Sequence, residues 1–172
     1  VADLFVKACP LIIIASGLVF SYRANVWNIG AEGQMILGAM FSGYVALYWG
    51  GMPAPLLLPA MILAGVLGGL AWAMIPAILK TRFNTNEILV SLMLTYVAVL
   101  FIDWTVRGPW RDPMSFGFPL TPMYPDAGMI ARVDLPGIGR LAQLHWGVLG
   151  ALVLSVAAWF ILRRTMVGFQ VQ

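Results

Sequence analysis

The chain has 172 residues, 61% of them hydrophobic and 10% charged, against ~25% charged in an ordinary soluble domain. Ten basic and seven acidic side chains cannot cover a water-soluble globule of this size, and the mean hydropathy of +0.89 points the same way. One cysteine and one histidine, Cys9 and His145, argue against a disulfide scaffold and against a zinc or iron site built by this chain alone; a net charge of +3 without a basic cluster argues against nucleic acid as a partner.

A spanning helix takes ~20 apolar residues, so the chain has room for about five spans. Five apolar segments follow one another, at residues 4–22, 34–49, 56–79, 88–106 and 146–162. The prediction is an all-α, polytopic transmembrane helix bundle, read as a single domain over 1–172 and as a piece of a longer protein. Short loops rich in lysine and arginine stay in the cytoplasm. That rule puts Lys80, Arg82, Arg163 and Arg164 inside, with Arg23, and leaves the uncharged turn at residues 50–55 and the long connection at 107–144 outside. Trp49, Trp104 and Trp146 then fall near outer span ends, where aromatic anchors collect. Gly65 and Gly69 with Gly68, Gly147 with Ala151, and Gly38 with Ser42 carry the small-residue spacing that brings membrane helices close; they predict a bundle and say nothing of its cargo.

Two places break the apolar pattern. Between the first two segments lies Arg23-Ala24-Asn25-Val26-Trp27-Asn28-Ile29-Gly30-Ala31-Glu32-Gly33-Gln34. A glycine-interrupted polar backbone at membrane depth is tolerated only where protein or a water-filled cavity covers it. The stretch therefore predicts a broken-helix elbow, with Asn25, Trp27, Asn28, Glu32 and Gln34 on a substrate pathway. The plainer reading is a cytoplasmic turn in which Asn28 caps the next helix and Glu32 sits at its positive dipole end. The second place is Asn84-Thr85-Asn86-Glu87, followed by Ser91 and Thr95 in an apolar helix. At ~100° per residue, Asn84, Glu87, Ser91 and Thr95 share an arc of roughly 80°. Polar stripes in membrane helices face a bundle interior or a pathway, which adds Asn86, Glu87, Ser91 and Thr95 to the candidate pathway; capping is the rival reading.

The connection at 107–144 holds six prolines (Pro109, Pro113, Pro119, Pro122, Pro125, Pro136) and four arginines (Arg107, Arg111, Arg132, Arg140). It cannot form a long helix, and it exceeds the length of a simple turn. With Trp110, Phe116, Phe118 and Tyr124 it offers charge and aromatic surface for docking. The chain has no Gly-rich phosphate loop, no Ser-His-Asp set and no paired histidines, so passage of a solute is expected rather than chemistry, with no cofactor and no metal.

The string Asn28-Ile29-Gly30-Ala31-Glu32-Gly33-Gln34-Met35 closely resembles the signature of permease subunits of bacterial ATP-binding-cassette importers for nucleosides and simple sugars. Cys9-Pro10-Leu11, Leu79-Lys80-Thr81-Arg82-Phe83 and Leu92-Met93-Leu94-Thr95-Tyr96 follow in the family's order, although Thr95 stands where nucleoside-type members carry asparagine. Arg164-Thr165-Met166-Val167-Gly168-Phe169 is similar to the lead-in of the segment that couples to the ATPase, which would give Arg164, Thr165 and Gly168 that role. The resemblance implies a multi-pass permease of the bacterial cytoplasmic membrane, itself not an enzyme. Its implied partners are cytoplasmic ATPase subunits, a second permease subunit and an extracytoplasmic substrate-binding protein, with a small polar solute as cargo. The alternative is an ion-coupled secondary transporter using Glu32 or Glu87.

Overall fold

The computed structural model describes the backbone of residues 2–131, 145–166 and 168. The described residues are all-α: α1 (Ala2–Arg23), α2 (Ala31–Tyr48), α3 (Ala54–Phe83), α4 (Glu87–Arg107) and α5 (Trp146–Arg164), with a 3-10 turn at Asp126–Gly128. Among the described residues, α1, α3, α4 and α5 are long and apolar enough to cross a membrane. The second expected span differs. Its helix begins at Ala31 and takes in Glu32 and Gln34, and Gly33, Leu37, Met40, Gly43, Val45 and Ala46 are buried. Taking Glu32 and Gln34 into the helix dilutes its apolar composition, while Met35, Phe41, Tyr44 and Tyr48 remain exposed on its other face. Trp49, Trp104 and Trp146 are all exposed at helix ends, as anchors should be.

The helices form two compact units, one from residues 1–27 and 130–172 and one from residues 28–129. In the first, α1 and α5 run parallel. The Cys9 thiol donates to the Gly147 carbonyl at 3.3 Å and the Ser16 and Ser155 hydroxyls meet at 2.8 Å; a nearly constant offset in number is the mark of parallel register. Ala151 and Leu162 are buried.

In the second unit α2 lies against both α3 and α4. A Cβ on Gly38 would stand 2.9 Å from the Gly65 carbonyl oxygen, and one on Gly69 would stand 3.2 Å from the Gln34 carbonyl oxygen. The missing side chains are what allow these two backbones to touch. Leu37, Met40 and Ala98 form the apolar centre, with Ile36, Trp72, Ile102 and Trp110 around it.

The connection after α4 folds back onto this unit over its described part. Trp110 packs on the apolar centre, the Asp112 amide donates to the Leu120 carbonyl at 2.8 Å, and the buried Ser115 hydroxyl bonds the Asp112 and Phe118 carbonyls. A Cβ on Gly43 would meet the Tyr124 hydroxyl at 3.0 Å. Residues 108–129 thus cap the end of the unit where α2 turns into α3, rather than hanging as a solvated linker. Phe116 and Phe118 stay exposed at the tip, Phe116 almost fully. Arg132, Pro136, Arg140 and Leu144 lie outside the described residues.

Candidate functional site

The polar end of the second unit is built by the start of α2. Gly30, not Asn28, occupies the N-cap position of this helix, with no side-chain cap. The expected Asn28 cap is therefore corrected, and the reason is visible in the bonding. Asn28 Oδ1 accepts from the Gly30 amide at 3.0 Å and from Gln34 Nε2 at 3.2 Å, while Asn28 Nδ2 donates to Gln34 Oε1 at 3.3 Å. The two amides satisfy each other face to face across six residues, which leaves Asn28 no acceptor for the helix itself. Both are half-buried. Glu32 does sit in the first turn of α2, exposed, where the helix dipole favours a carboxylate.

The amide pair is held against α4 by two glycines. A Cβ on Gly30 would fall 2.9 Å from Ser91 Cβ, and one on Gly33 would fall 3.0 Å from Thr95 Cα. Ser91 and Thr95 are both buried. Their hydroxyls turn back to their own helix, Ser91 to the Ile88 carbonyl at 3.1 Å and Thr95 to the Ser91 carbonyl at 3.1 Å, a geometry that spends the hydroxyl proton locally.

The stripe foreseen on α4 is shorter than expected. Asn84 does not belong to that helix: it ends α3 in a left-handed conformation at φ 50°, the sharp turn that starts the chain back. Asn86 then caps α4, accepting from the Ile88 and Leu89 amides at 3.0 and 3.4 Å. The reversal brings the last turn of α3 to the first turn of α4, where Lys80 Nζ and Glu87 Oε2 pair at 2.8 Å. Asn25 and Trp27 belong to the other unit; Asn25 is left-handed at φ 56°, and Trp27 packs on Tyr22 with centroids 5.6 Å apart.

Trp72 is the residue that the sequence reading missed. Its indole Nε1 is buried without an acceptor and stands 3.2 Å from where a Gly33 Cβ would be, a point that is also 3.3 Å from Thr95 Oγ1. An unspent donor at the junction of α2, α3 and α4 offers a hydrogen bond to a guest molecule or water. The one hint in the sequence is its position on the same helix as Gly65, Gly68 and Gly69, three residues past the last. At the other end of the unit, Tyr48, Trp110, Arg111, Pro122 and Pro125 help to line a cavity of about 490 Å³, and Arg107 is engaged by Asp103 at 2.7 Å. No group of three or more metal-ligating side chains occurs among the described residues.

Of the ATPase-coupling residues expected in the first unit, Arg164 is the exposed last residue of α5. Thr165 closes that helix, its hydroxyl donating to the Ile161 carbonyl at 2.7 Å, and the Gly168 amide reaches the Thr165 carbonyl at 3.1 Å. Val167 and Phe169 lie outside the described residues.

Residues 1–172 match the family described as the permease component of branched-chain amino acid transport systems. The chain is 36% identical over 174 residues to the glucose ABC transporter permease protein TsgB13 of Haloferax volcanii, covering 98% of this chain and 45% of that protein. It is 31% identical to the guanosine ABC transporter permease protein NupP of Bacillus subtilis, over 95% of this chain and 45% of the relative. With NupQ of the same organism it shares 32% identity, over 97% of this chain and 52% of the relative. The chain thus spans about half the length of these relatives. No solved structure matches it significantly.

Proposed function

The chain belongs to the family of permease components of branched-chain amino acid transport systems, and on that premise we propose that it forms part of the transmembrane pathway of an ATP-binding-cassette importer. It is a multi-pass protein of the cytoplasmic membrane. Its cargo is a small neutral polar solute, a nucleoside or a simple sugar. The observation that carries this reading is the match along the whole chain, with relatives named for glucose and guanosine. The chemistry of the elbow agrees with it. Asn28, Gln34 and the Trp72 indole offer neutral donors and acceptors, which suit hydroxyl-rich cargo better than ions; Glu32, Asn86, Glu87, Ser91 and Thr95 of the same unit complete the candidate pathway, and Asn25 and Trp27 are proposed for it from their place in the sequence alone. The permease lowers the barrier to crossing by supplying hydrogen bonds where lipid supplies none.

Cytoplasmic ATPase subunits drive the cycle, a second permease subunit completes the bundle, and an extracytoplasmic binding protein delivers the solute. Arg164, Thr165 and Gly168 lead toward the ATPase contact, so hydrolysis lies with the partner and not with this chain. The capped loop with Arg107 and Arg111 lies outside and contributes to docking of the binding protein. Ion coupling through Glu87 is the less favoured reading, because that carboxylate is engaged by Lys80.

In the complete transporter, uptake of labelled guanosine or glucose should require ATP and survive collapse of the ion gradients; the reverse dependence would sink the proposal. Glu32→Gln should reach the membrane at normal levels and cut uptake. A tag at the exposed tip beside Phe116 should react with an impermeant reagent in intact spheroplasts, and protection until lysis would invert the orientation.

A further inference from the structure

The parallel pair α1 and α5 leaves a groove between its two helices that the transport reading does not use. It measures about 380 Å³, within the ~300–1,000 Å³ range of small-molecule sites. Ile12, Val19, Ala158 and Trp159 help to wall it, Ser16 and Ser155 line it, and Arg23 and Arg163 stand at one end. Arg23 ends α1 and Arg163 lies in the last turn of α5, and because the two helices run parallel they share a level. Arg163 is further held with its guanidinium carbon 5.5 Å from the centre of the Trp159 ring.

Among the described residues neither arginine has a carboxylate partner within ion-pair distance. α5 contains no acidic residue, and the only one in α1, Asp3, is about 30 Å up the helix from Arg23 at ~1.5 Å per residue. A long apolar trough that ends in two uncompensated guanidinium groups asks for a ligand with the opposite plan. We infer that the α1–α5 groove binds an anionic phospholipid, with an acyl chain along Ile12, Val19 and Ala158 and the headgroup phosphate between Arg23 and Arg163.

The charge decides between occupants. A neighbouring apolar helix would fill the trough and leave both cations without a counter-charge, whereas a phospholipid brings chain and anion together. Arginine suits the phosphate end because its planar fork binds two phosphate oxygens at once. The serine pair is satisfied internally at 2.8 Å and so asks nothing of the acyl chain.

The test uses the full-length permease in its transporter complex, reconstituted in phosphatidylcholine nanodiscs. These are doped with phosphatidylglycerol or phosphatidylcholine carrying a photoreactive acyl chain, and adducts are mapped by mass spectrometry. Phosphatidylglycerol should label the peptides spanning residues 12–23 and 155–163 well above phosphatidylcholine, with a preference of roughly fivefold for each arginine. Arg23→Gln with Arg163→Gln should bring labelling down to the phosphatidylcholine level, while Arg23→Lys with Arg163→Lys should keep most of the preference. Ala158→Trp, which fills the trough, should abolish labelling by both lipids. Equal labelling by the two lipids in the unaltered protein would mean an ordinary lipid shell and would overturn the inference. So would an absence of labelling by either lipid, which would mean that protein covers the groove.

Discussion

The two units of this molecule are both built from apolar helices with glycines in them, yet the glycines inside those helices meet different surroundings. In the second unit, Gly30, Gly33 and Gly38 are pressed against Ser91, Thr95 and Gly65, and an added Cβ would stand 2.9–3.0 Å from a neighbouring helix's atoms. In the first, Gly17 of α1 and Gly150 of α5 have nothing within 4 Å of where a Cβ would be, and the pair is joined instead by a serine–serine hydrogen bond and a thiol–carbonyl bond. Small residues in a membrane helix therefore mark a close approach only where a partner backbone is present. The unit where the glycines are spent is also the one that carries the polar elbow, so close packing and the candidate site are one construction.

The largest effect expected from breaking that construction is at Gly38. Gly38→Ala drives a methyl group toward the Gly65 carbonyl, a backbone atom that cannot rotate away, and should cost about 1–3 kcal/mol. Thermal unfolding followed by intrinsic fluorescence would register it, and an unchanged midpoint would mean that α2 and α3 are not in backbone contact.

The amide pair comes next. Asn28→Leu leaves Gln34 half-buried without its partner and should cost about 1–2 kcal/mol. Adding Gln34→Leu should cost less than the sum of the single changes, since residues in contact couple by ~0.5–3 kcal/mol. Strict additivity in the double-mutant cycle would show that the two amides do not hold each other.

Trp72→Phe separates stability from transport within the same unit. No acceptor is lost, because the indole N–H has none, so unfolding should shift only by the ~1 kcal/mol that the smaller ring costs in packing, while uptake falls. A stable variant with normal uptake would remove Trp72 from the pathway. The smallest effect belongs to the contrasting unit: Gly17→Ala should stabilise α1 by up to ~1 kcal/mol, the ordinary helix-propensity gain, and a loss of stability there would show that α1 has a close neighbour at that face.

Much of this was readable from the residues in order. Hydropathy and length determine that the chain is a helical membrane protein, because each backbone polar group in lipid must be satisfied within its own helix. The same reading located all five helices to within a few residues, the polar break after Arg23 and the string Asn28–Gln34. Proline content excluded a long helix after α4, since proline gives no amide to the helical ladder.

Pairing was decided by the tertiary structure. Helical periodicity put Asn84 on the α4 stripe, but one left-handed residue ended α3 there and turned Lys80 onto Glu87. Cap preference favoured Asn28, but Gln34, six residues on, competed for the same oxygen and won a reciprocal pair. Hydropathy placed a helix at residues 34–49, and the helix that formed starts three residues earlier, at Ala31, and takes in Glu32 and Gln34. Trp72 carried no local signal, because an unspent donor is defined by what surrounds it. Local sequence sets which residues can form a helix, a cap or a turn; which of several polar partners a side chain meets depends on helices brought together from far along the chain.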